Sequence, residues 1–328
     1  MFRPTEAVCL PAGRPVLTPW ARLVWCLIAH ETTDIVGTVV VSEDAQPQTP
    51  RVIVIGGRTG REKERFSDEV VDGWQLATPV NVRQSGFAAA TLRHCVYVAG
   101  GENNRSVECY DGTTWRFVAP LVLPRRAFGL VSSHDHLYAV GGSHSRGSPS
   151  LNHTDRYWPE TNQWLGCRSM PTPRDFLEVV ALRDGIYALG GREHPSYCHY
   201  CSSVVHYRPD LDEWYQAAPM RFERVGFSSA VCRDRVFALG TASLTTLSIE
   251  AFDPREPSWQ VVGELHKATA GARCVEWRGD LVLLGGSQYG LASSSSSVLI
   301  FDVRTLKWRD WPGLTVSRLG HAAVFLDQ

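Results

Sequence analysis

Glycine pairs recur along this chain at a nearly fixed interval, and a tryptophan follows each of them. The glycine sites are separated by 44, 41, 49, 50 and 45 residues, and the tryptophans after the second site keep nearly the same intervals. A period in the forties is typical of propellers and solenoids, in which each repeat is one supersecondary unit. The glycine sites are Gly56-Gly57, Gly100-Gly101, Gly141-Gly142, Gly190-Gly191, the degenerate Gly240-Thr241, and Gly285-Gly286. The tryptophans are Trp74, Trp115, Trp164, Trp214, Trp259 and Trp308.

Each repeat contains the pattern of four short strands. An apolar run such as 96–99 or 137–140 leads into the glycine site, which predicts a buried strand that ends at glycine. Another strand-like segment lies upstream in five repeats, and an aromatic residue precedes the tryptophan in five. Turn residues such as Asp253-Pro254 separate these segments. Four strands in each unit predict one propeller blade, and the fixed tryptophans are expected to pack between neighbouring blades.

The two ends of the chain predict how the ring closes. The first unit opens at residue 51 with its glycine-pair strand and lacks an inner strand, whereas 318–326 resembles an inner strand with no unit of its own. Pairing the two would cover exposed sheet edges. We therefore predict six blades that begin near 51, 84, 125, 174, 224 and 269, with 318–326 completing the first. Residues 1–50 are predicted to be an extension and linker, with a short helix near Trp20 to Ile28 and a strand as one reading of 34–41.

The recurring motifs resemble the kelch repeat over residues 51–328. The glycine pair is preceded three residues earlier by an aromatic residue, and a second aromatic residue stands ahead of the tryptophan. The resemblance implies an all-β, six-bladed kelch propeller without enzymatic activity, similar to the propeller of kelch-like ubiquitin-ligase adaptors. The first aromatic residues are Tyr97, Tyr138, Tyr187 and Phe237.

The same resemblance implies a protein partner that docks on one propeller face. Kelch-like adaptors carry BTB and BACK domains before the propeller, and about 50 residues are too few for either. We therefore expect no direct binding to a cullin. Two alternatives stay open: an actin-binding or cytoskeletal scaffold, and a metal-dependent enzyme built on a kelch ring.

Composition limits the other classes of partner. Lys and Arg total 33 against 34 Asp and Glu, so the net charge of -1 argues against nucleic acid and anionic membrane as partners. The apolar run 23–29 is far shorter than the roughly 20 residues that span a bilayer. Nine scattered cysteines indicate reduced thiols in a cytoplasmic protein. We expect a monomer with no cofactor.

Arginines open many of the predicted inner strands. Arg125, Arg174 and Arg224 each stand 16 residues before the first glycine of a site, so they should occupy equivalent positions around the ring. With Arg126 and Arg318 they either form a guanidinium ring that binds acidic or phosphorylated peptides, or tie each blade to its neighbour through backbone carbonyls. The loops after the glycine sites add polar candidates for partner binding. These are Arg58, Asn104, Arg105, His144, Arg146, Arg192, His194, Gln288 and Tyr289.

One long loop contains four residue types that bind zinc: His194, Cys198, His199 and Cys201. A single CxxC without a distant second pair is a poor metal signature, so no metal site is predicted, and a redox-sensitive thiol pair is the alternative. Asp111-Gly112 superficially resembles the aspartate box of sialidase propellers but lacks its spacing. We interpret it as a tight turn.

Overall fold

The structure is a computed structural model, and it describes residues 39–42, 51–55, 74–77, 80–82, 85–193, 200–240, 247–266, 270–287, 294–314 and 317–326. These residues form strands and connecting turns and include no α-helix. Nor do they contain a helix of the length and apolarity that a bilayer crossing requires. The helix predicted near residues 20–28 lies outside the described residues.

Five blades are built from consecutive strands, and each is a four-stranded antiparallel sheet. The first two are β4 (Ala88–Leu92), β5 (Cys95–Ala99), β6 (Val107–Tyr110), β7 (Trp115–Val118), and β8 (Gly129–Ser133), β9 (His136–Val140), β10 (Thr154–Trp158), β11 (Gln163–Cys167). The third is β13 (Glu178–Leu182), β14 (Gly185–Leu189), β16 (Val204–Arg208), β17 (Glu213–Ala217). The last two are β18 (Ser228–Cys232), β19 (Arg235–Leu239), β20 (Ser248–Phe252), β21 (Gln260–Glu264), and β22 (Arg273–Trp277), β23 (Asp280–Leu284), β24 (Val298–Asp302), β25 (Lys307–Trp311). A small ribbon pairs β12 (Arg174–Asp175) with β15 (Arg192–Glu193).

A composite sheet joins the two ends of the chain in the order β26-β2-β1-β3. It contains β1 (Val39–Ser42), β2 (Arg51–Ile55), β3 (Trp74–Ala77) and β26 (Ala322–Leu326). The predicted pairing of the C-terminal strand with the first glycine-pair strand is confirmed, because Ile53 lies opposite Val324. β26 also packs against β22 on one side and β4 on the other.

The composite sheet corrects two parts of the prediction. Its third strand is β1, which pairs with both β2 and β3, although residues 1–50 were assigned to an extension and linker. The run of three valines at 39–41 explains this, since β-branched residues favour strands. The structure also differs from the predicted count, because five blades rather than six are built from consecutive strands and the remaining sheet is composite.

The core lies between adjacent blades. Tyr157 and Trp164 of one blade pack in a single cluster with Tyr97 and Val107 of the blade before it. The inner strands of neighbouring blades approach closely near the ring axis. A Cβ on Gly129 of β8 would lie 2.0 Å from Cγ2 of Val179 in β13. Small residues on these strands therefore allow neighbouring blades to approach closely.

Four of the repeated tryptophans belong to this packing, as predicted. Nε1 of Trp164 donates a 2.9 Å hydrogen bond to the carbonyl of Ala119 in the preceding blade, and the indole ring lies 5.2 Å from the ring of Tyr157. Trp214, Trp259 and Trp308 donate equivalent 2.9 Å bonds to the preceding blade. The recurring spacing of tryptophan along the chain therefore reflects a contact that is repeated between neighbouring blades.

Candidate protein-interaction face

The order of strands separates two faces of the ring. In a four-stranded meander, the connection between the second and third strands lies at the same end as the segment that enters the first. We call this end the loop face; it comprises segments 100–106, 119–127, 141–153, 168–176 and 218–226. The other end, the turn face, carries tight turns such as Asp111 to Thr114, where Oδ1 of Asp111 accepts from the backbone N–H of Thr113 at 2.9 Å. Asp111-Gly112 is therefore a tight turn, as interpreted from the sequence.

The predicted arginine ring lies beneath the loop face, inside the protein. Arg125, Arg126, Arg174, Arg224 and Arg318 are all at most 2% exposed. Nη1 of Arg125 donates to the carbonyl oxygens of Gly141 at 3.2 Å and His153 at 3.0 Å, and Nη2 forms an ion pair with Asp155. A guanidinium that is buried and hydrogen-bonded in this way cannot contact a peptide docked on the surface.

The equivalent arginines repeat this arrangement. Nη1 of Arg174 donates to the carbonyl of Gly190 at 3.4 Å and to that of Ser203 at 3.0 Å. Nη1 of Arg224 donates to Gly240 at 2.7 Å. The 16-residue spacing that marked these arginines in the sequence is therefore the distance along the chain between a donor and its acceptor.

The arginine backbone reaches the preceding blade. The N–H of the second glycine donates to the carbonyl of the next arginine, from Gly101 to Arg125 at 2.7 Å and from Gly142 to Arg174 at 2.8 Å. The pairs of Gly191 with Arg224 and Gly286 with Arg318 repeat it at 2.9 Å. Each arginine thus joins two blades. Of the two interpretations left open by the sequence, the contacts of Arg125, Arg174 and Arg224 match the binding of backbone carbonyls.

Burial sets the electrostatics of these contacts. It lowers the pKa of the Arg125 guanidinium and raises that of the Asp155 carboxyl, while each partner's charge opposes the shift. Desolvation likewise lowers the pKa of Arg224. The buried Glu250 carboxylate, 2.8 Å from Nη2, opposes this shift. Paired charges of this kind are costly to break, because the remaining partner would be buried alone.

Phe176 lies between Arg126 and Arg192, two of the residues predicted to bind a partner. The guanidinium carbons of Arg126 and Arg192 lie 5.4 and 5.1 Å from its ring centroid. Nε and Nη2 of Arg192 also donate to the Asp175 carboxylate at 2.9 and 2.6 Å. Arg192 is 8% exposed. It stabilises the loop scaffold and, contrary to the prediction, does not present its charge to solvent.

The remaining loop candidates divide into internal and exposed side chains. Asn104 is half-buried and bonds Ser106 within its own loop, and Nδ1 of His144 lies 3.1 Å from the carbonyl oxygen of Pro124. Arg146 is half-buried, whereas Arg105 is exposed. Arg58, His194, Gln288 and Tyr289 lie outside the described residues, so their assignment stays a prediction.

Sequence reasoning missed the exposed residues just before the buried arginines. Val122 is 49% and Phe222 is 40% exposed, two or three positions before Arg125 and Arg224. The adjacent Arg221 is exposed as well. The sequence signal for Phe222 is its place beside Arg221 in a loop, whereas the regular spacing belongs to the buried arginines.

The long loop with four zinc-binding residue types is only partly described. His194, Cys198 and His199 lie outside the described residues, and Cys201 is buried. Burial raises the pKa of Cys201 to about 12, which favours the protonated thiol over the thiolate that binds metal. Within the described ranges, no group of three or more His, Cys, Asp or Glu side chains is arranged to hold a metal ion.

Comparison with known proteins agrees with this architecture. The kelch motif model matches residues 85–122, 124–171 and 173–221. Kelch-like protein 36 of Rattus norvegicus is 24% identical over 322 residues, covering 90% of this chain and 51% of the relative. Kelch-like protein 35 of Mus musculus is 27% identical over 287 residues, covering 84% and 48%. The chain thus spans about half the length of these curated relatives.

A solved structure supports the fold alone. The structure of YjhT aligns with a TM-score of 0.66 at 14% identity, covering 75% of this chain and 88% of the other. Residues 85–221 therefore carry kelch motifs, and the chain has a β-propeller fold. More particularly, it resembles the propeller portion of the kelch-like proteins.

Proposed function

We propose that this protein is a non-enzymatic interaction module that binds a protein segment on the loop face. The proposal rests on the contrast between buried arginines and the exposed residues in the same loop segments. We call the buried set, Arg125, Arg126, Arg174, Arg224 and Arg318, the arginine framework. Arg105, Val122, Arg221 and Phe222 project from segments whose backbone the framework holds. Loops on a rigid scaffold are the usual place for recognition, and arginine with aromatic residues is enriched in binding hot spots.

The mixture of side chains supports a segment that carries both acidic and apolar residues. Exposed arginines would pair with carboxylates or phosphates, while Val122 and Phe222 would contact apolar side chains. By its resemblance to kelch-like proteins, we propose a role in substrate recognition related to cullin-RING ubiquitin-ligase adaptors. We further propose a monomeric, cytoplasmic protein, a location supported by the described cysteines being free thiols.

We also propose that the composite sheet is the sixth blade of a closed ring. The pairing of β26 with β2 and its packing between β22 and β4 support this count. Joining the two ends of the chain within one sheet would remove two free edges.

Two matched double variants test the binding face. R221E/F222A reverses a charge and truncates an exposed apolar side chain on the loop face, and R304E/L211A makes the same two types of change on the turn face. Each variant is used as bait in cell extract. R221E/F222A should fail to co-purify a stoichiometric partner, whereas R304E/L211A should retain it. Equal capture by both variants, with unaltered melting temperatures, would assign binding elsewhere.

A further inference from the structure

A cavity of about 250 Å³ lies among the inner strands, where the blades meet. Alanine, valine and other small or apolar residues form most of its wall, with residues contributed by β4, β8, β13, β18, β22 and β26. Its charged lining residues, within the described part of the chain, are Glu178 and Arg273. The cavity is therefore lined mainly by small side chains, with Glu178 and Arg273 as its charged groups.

Arg273 is held in a fixed orientation at this position. Its Nη1 donates to Oε1 of Glu178 at 2.7 Å, and its Nε donates to the carbonyl of His321 at 2.9 Å. A third of the side chain, 31%, remains exposed. Nη2 has no hydrogen-bond partner among the described residues, so two donor hydrogens of an oriented guanidinium remain available.

Arg273 and Glu178 form an ion pair at this position. Desolvation raises the pKa of the Glu178 carboxyl above its ordinary value, although Arg273 and Ser229 oppose the shift. An arginine guanidinium stays protonated in proteins. Because Glu178 occupies Nη1, the N–H donors of Nη2 are the part of Arg273 that an anionic acceptor would bind.

Ser228 supplies a second donor beside Arg273. Its Oγ accepts a 2.7 Å hydrogen bond from the backbone N–H of Cys274, the next residue after Arg273. Because the oxygen accepts in this contact, the hydroxyl hydrogen can donate to a ligand. Ser228 lines the same cavity.

We propose that the cavity binds a small organic carboxylate, which accepts hydrogen bonds from Nη2 of Arg273 and from the Ser228 hydroxyl. The apolar part of the ligand packs against the alanines and valines of the inner strands. Drug-sized ligands occupy roughly 300–1,000 Å³, so this volume suits a smaller molecule. The site is separate from protein binding on the loop face and does not depend on it.

Titration of the full chain with benzoate, and with benzamide as the neutral analogue, tests the site. Saturable binding of benzoate by calorimetry, with benzamide at least about tenfold weaker, is expected because only benzoate carries the carboxylate charge. R273Q should abolish this preference. R309Q is the matched control, since it breaks an ion pair to Asp280 at the outer strand β25.

A second variant tests the carboxylate site independently, in case R273Q does not fold. Ala89→Leu narrows the cavity without altering Arg273 and should weaken benzoate binding at least tenfold, while capture of a protein partner on the loop face stays unchanged. Failure of benzoate to bind, equal affinity for benzoate and benzamide, or unchanged binding by A89L would each overturn the proposal.

Discussion

Nη1 of Arg224 donates a 2.7 Å hydrogen bond to the carbonyl oxygen of Gly240, sixteen residues later in the chain. The same guanidinium donates from Nε and Nη2 to Oε1 of Glu250 at 3.0 and 2.8 Å. Both side chains of this ion pair are fully buried. One arginine thereby connects the segment before an inner strand with two later strands of its blade.

Removal of Arg224 should therefore destabilise the propeller. R224M leaves the Glu250 carboxylate buried without its cation, and we expect a loss of about 3–5 kcal/mol in the free energy of unfolding, measured by urea denaturation. R221A removes an exposed arginine three residues earlier and should change stability little. Equal stability of the two variants would contradict the structural role of Arg224.

Two glycines with similar backbone angles should respond differently to alanine. Gly142 (φ +91°) would place a Cβ 2.6 Å from Cβ of Phe128 and 2.7 Å from the carbonyl oxygen of Arg126. Gly147 (φ +80°) would place its Cβ in open space. Both substitutions place alanine in the left-handed region, which costs about 1 kcal/mol of stability. G142A also brings its Cβ into collision with backbone and should lower the melting temperature much further. Similar melting temperatures would argue against the close approach of Gly142 to residues 126–128 within its blade.

The indole hydrogen bonds between blades should also be measurable. W259F leaves the carbonyl of Ala218 without its 2.9 Å donor, at an expected cost of about 1–3 kcal/mol beyond the lost ring volume. Trp158 provides the comparison, because its Nε1 has no hydrogen-bond partner in the described structure. W158F should therefore be the milder change in thermal unfolding. The reverse order would rule out this bond as a source of stability.

The stability of the ring should depend on pH through His321. This side chain is 1% exposed, and burial together with the positive charges of Arg318 and Arg273 holds its pKa well below the usual 6.5. The folded protein therefore keeps His321 neutral, whereas the unfolded chain binds a proton below pH 6.5. Stability should fall as the pH drops from about 6.5, with a limiting slope near 1.4 kcal/mol per pH unit.

H321Q isolates this contribution, since it cannot take up the proton. The difference in unfolding free energy between the unaltered chain and H321Q, measured between pH 7.5 and 5.5, should shift steadily in favour of the variant as the pH decreases. A constant difference across this range would show that His321 titrates alike in the folded and unfolded chains.

Local patterns in the sequence were enough to locate most strands. The apolar run 137–140 corresponds to β9 (His136–Val140), and the tryptophan at 164 lies in β11 as expected. A strand was one reading of 34–41, but its place in a blade was not predicted, because a short valine run gives no indication that β1 joins β2 and β3. Strand identity is local, but strand pairing is not.

The glycine and tryptophan rhythm by itself determined the repeat, the strand pattern and the packing of aromatic residues between blades, because each depends on backbone conformation or on a contact that recurs at a fixed separation. Only the tertiary structure decided what the arginines do. A guanidinium at the start of an inner strand can point to solvent or to carbonyl oxygens, and the choice depends on where neighbouring blades place those acceptors. The cavity beside Arg273 likewise exists only because inner strands far apart in the chain converge.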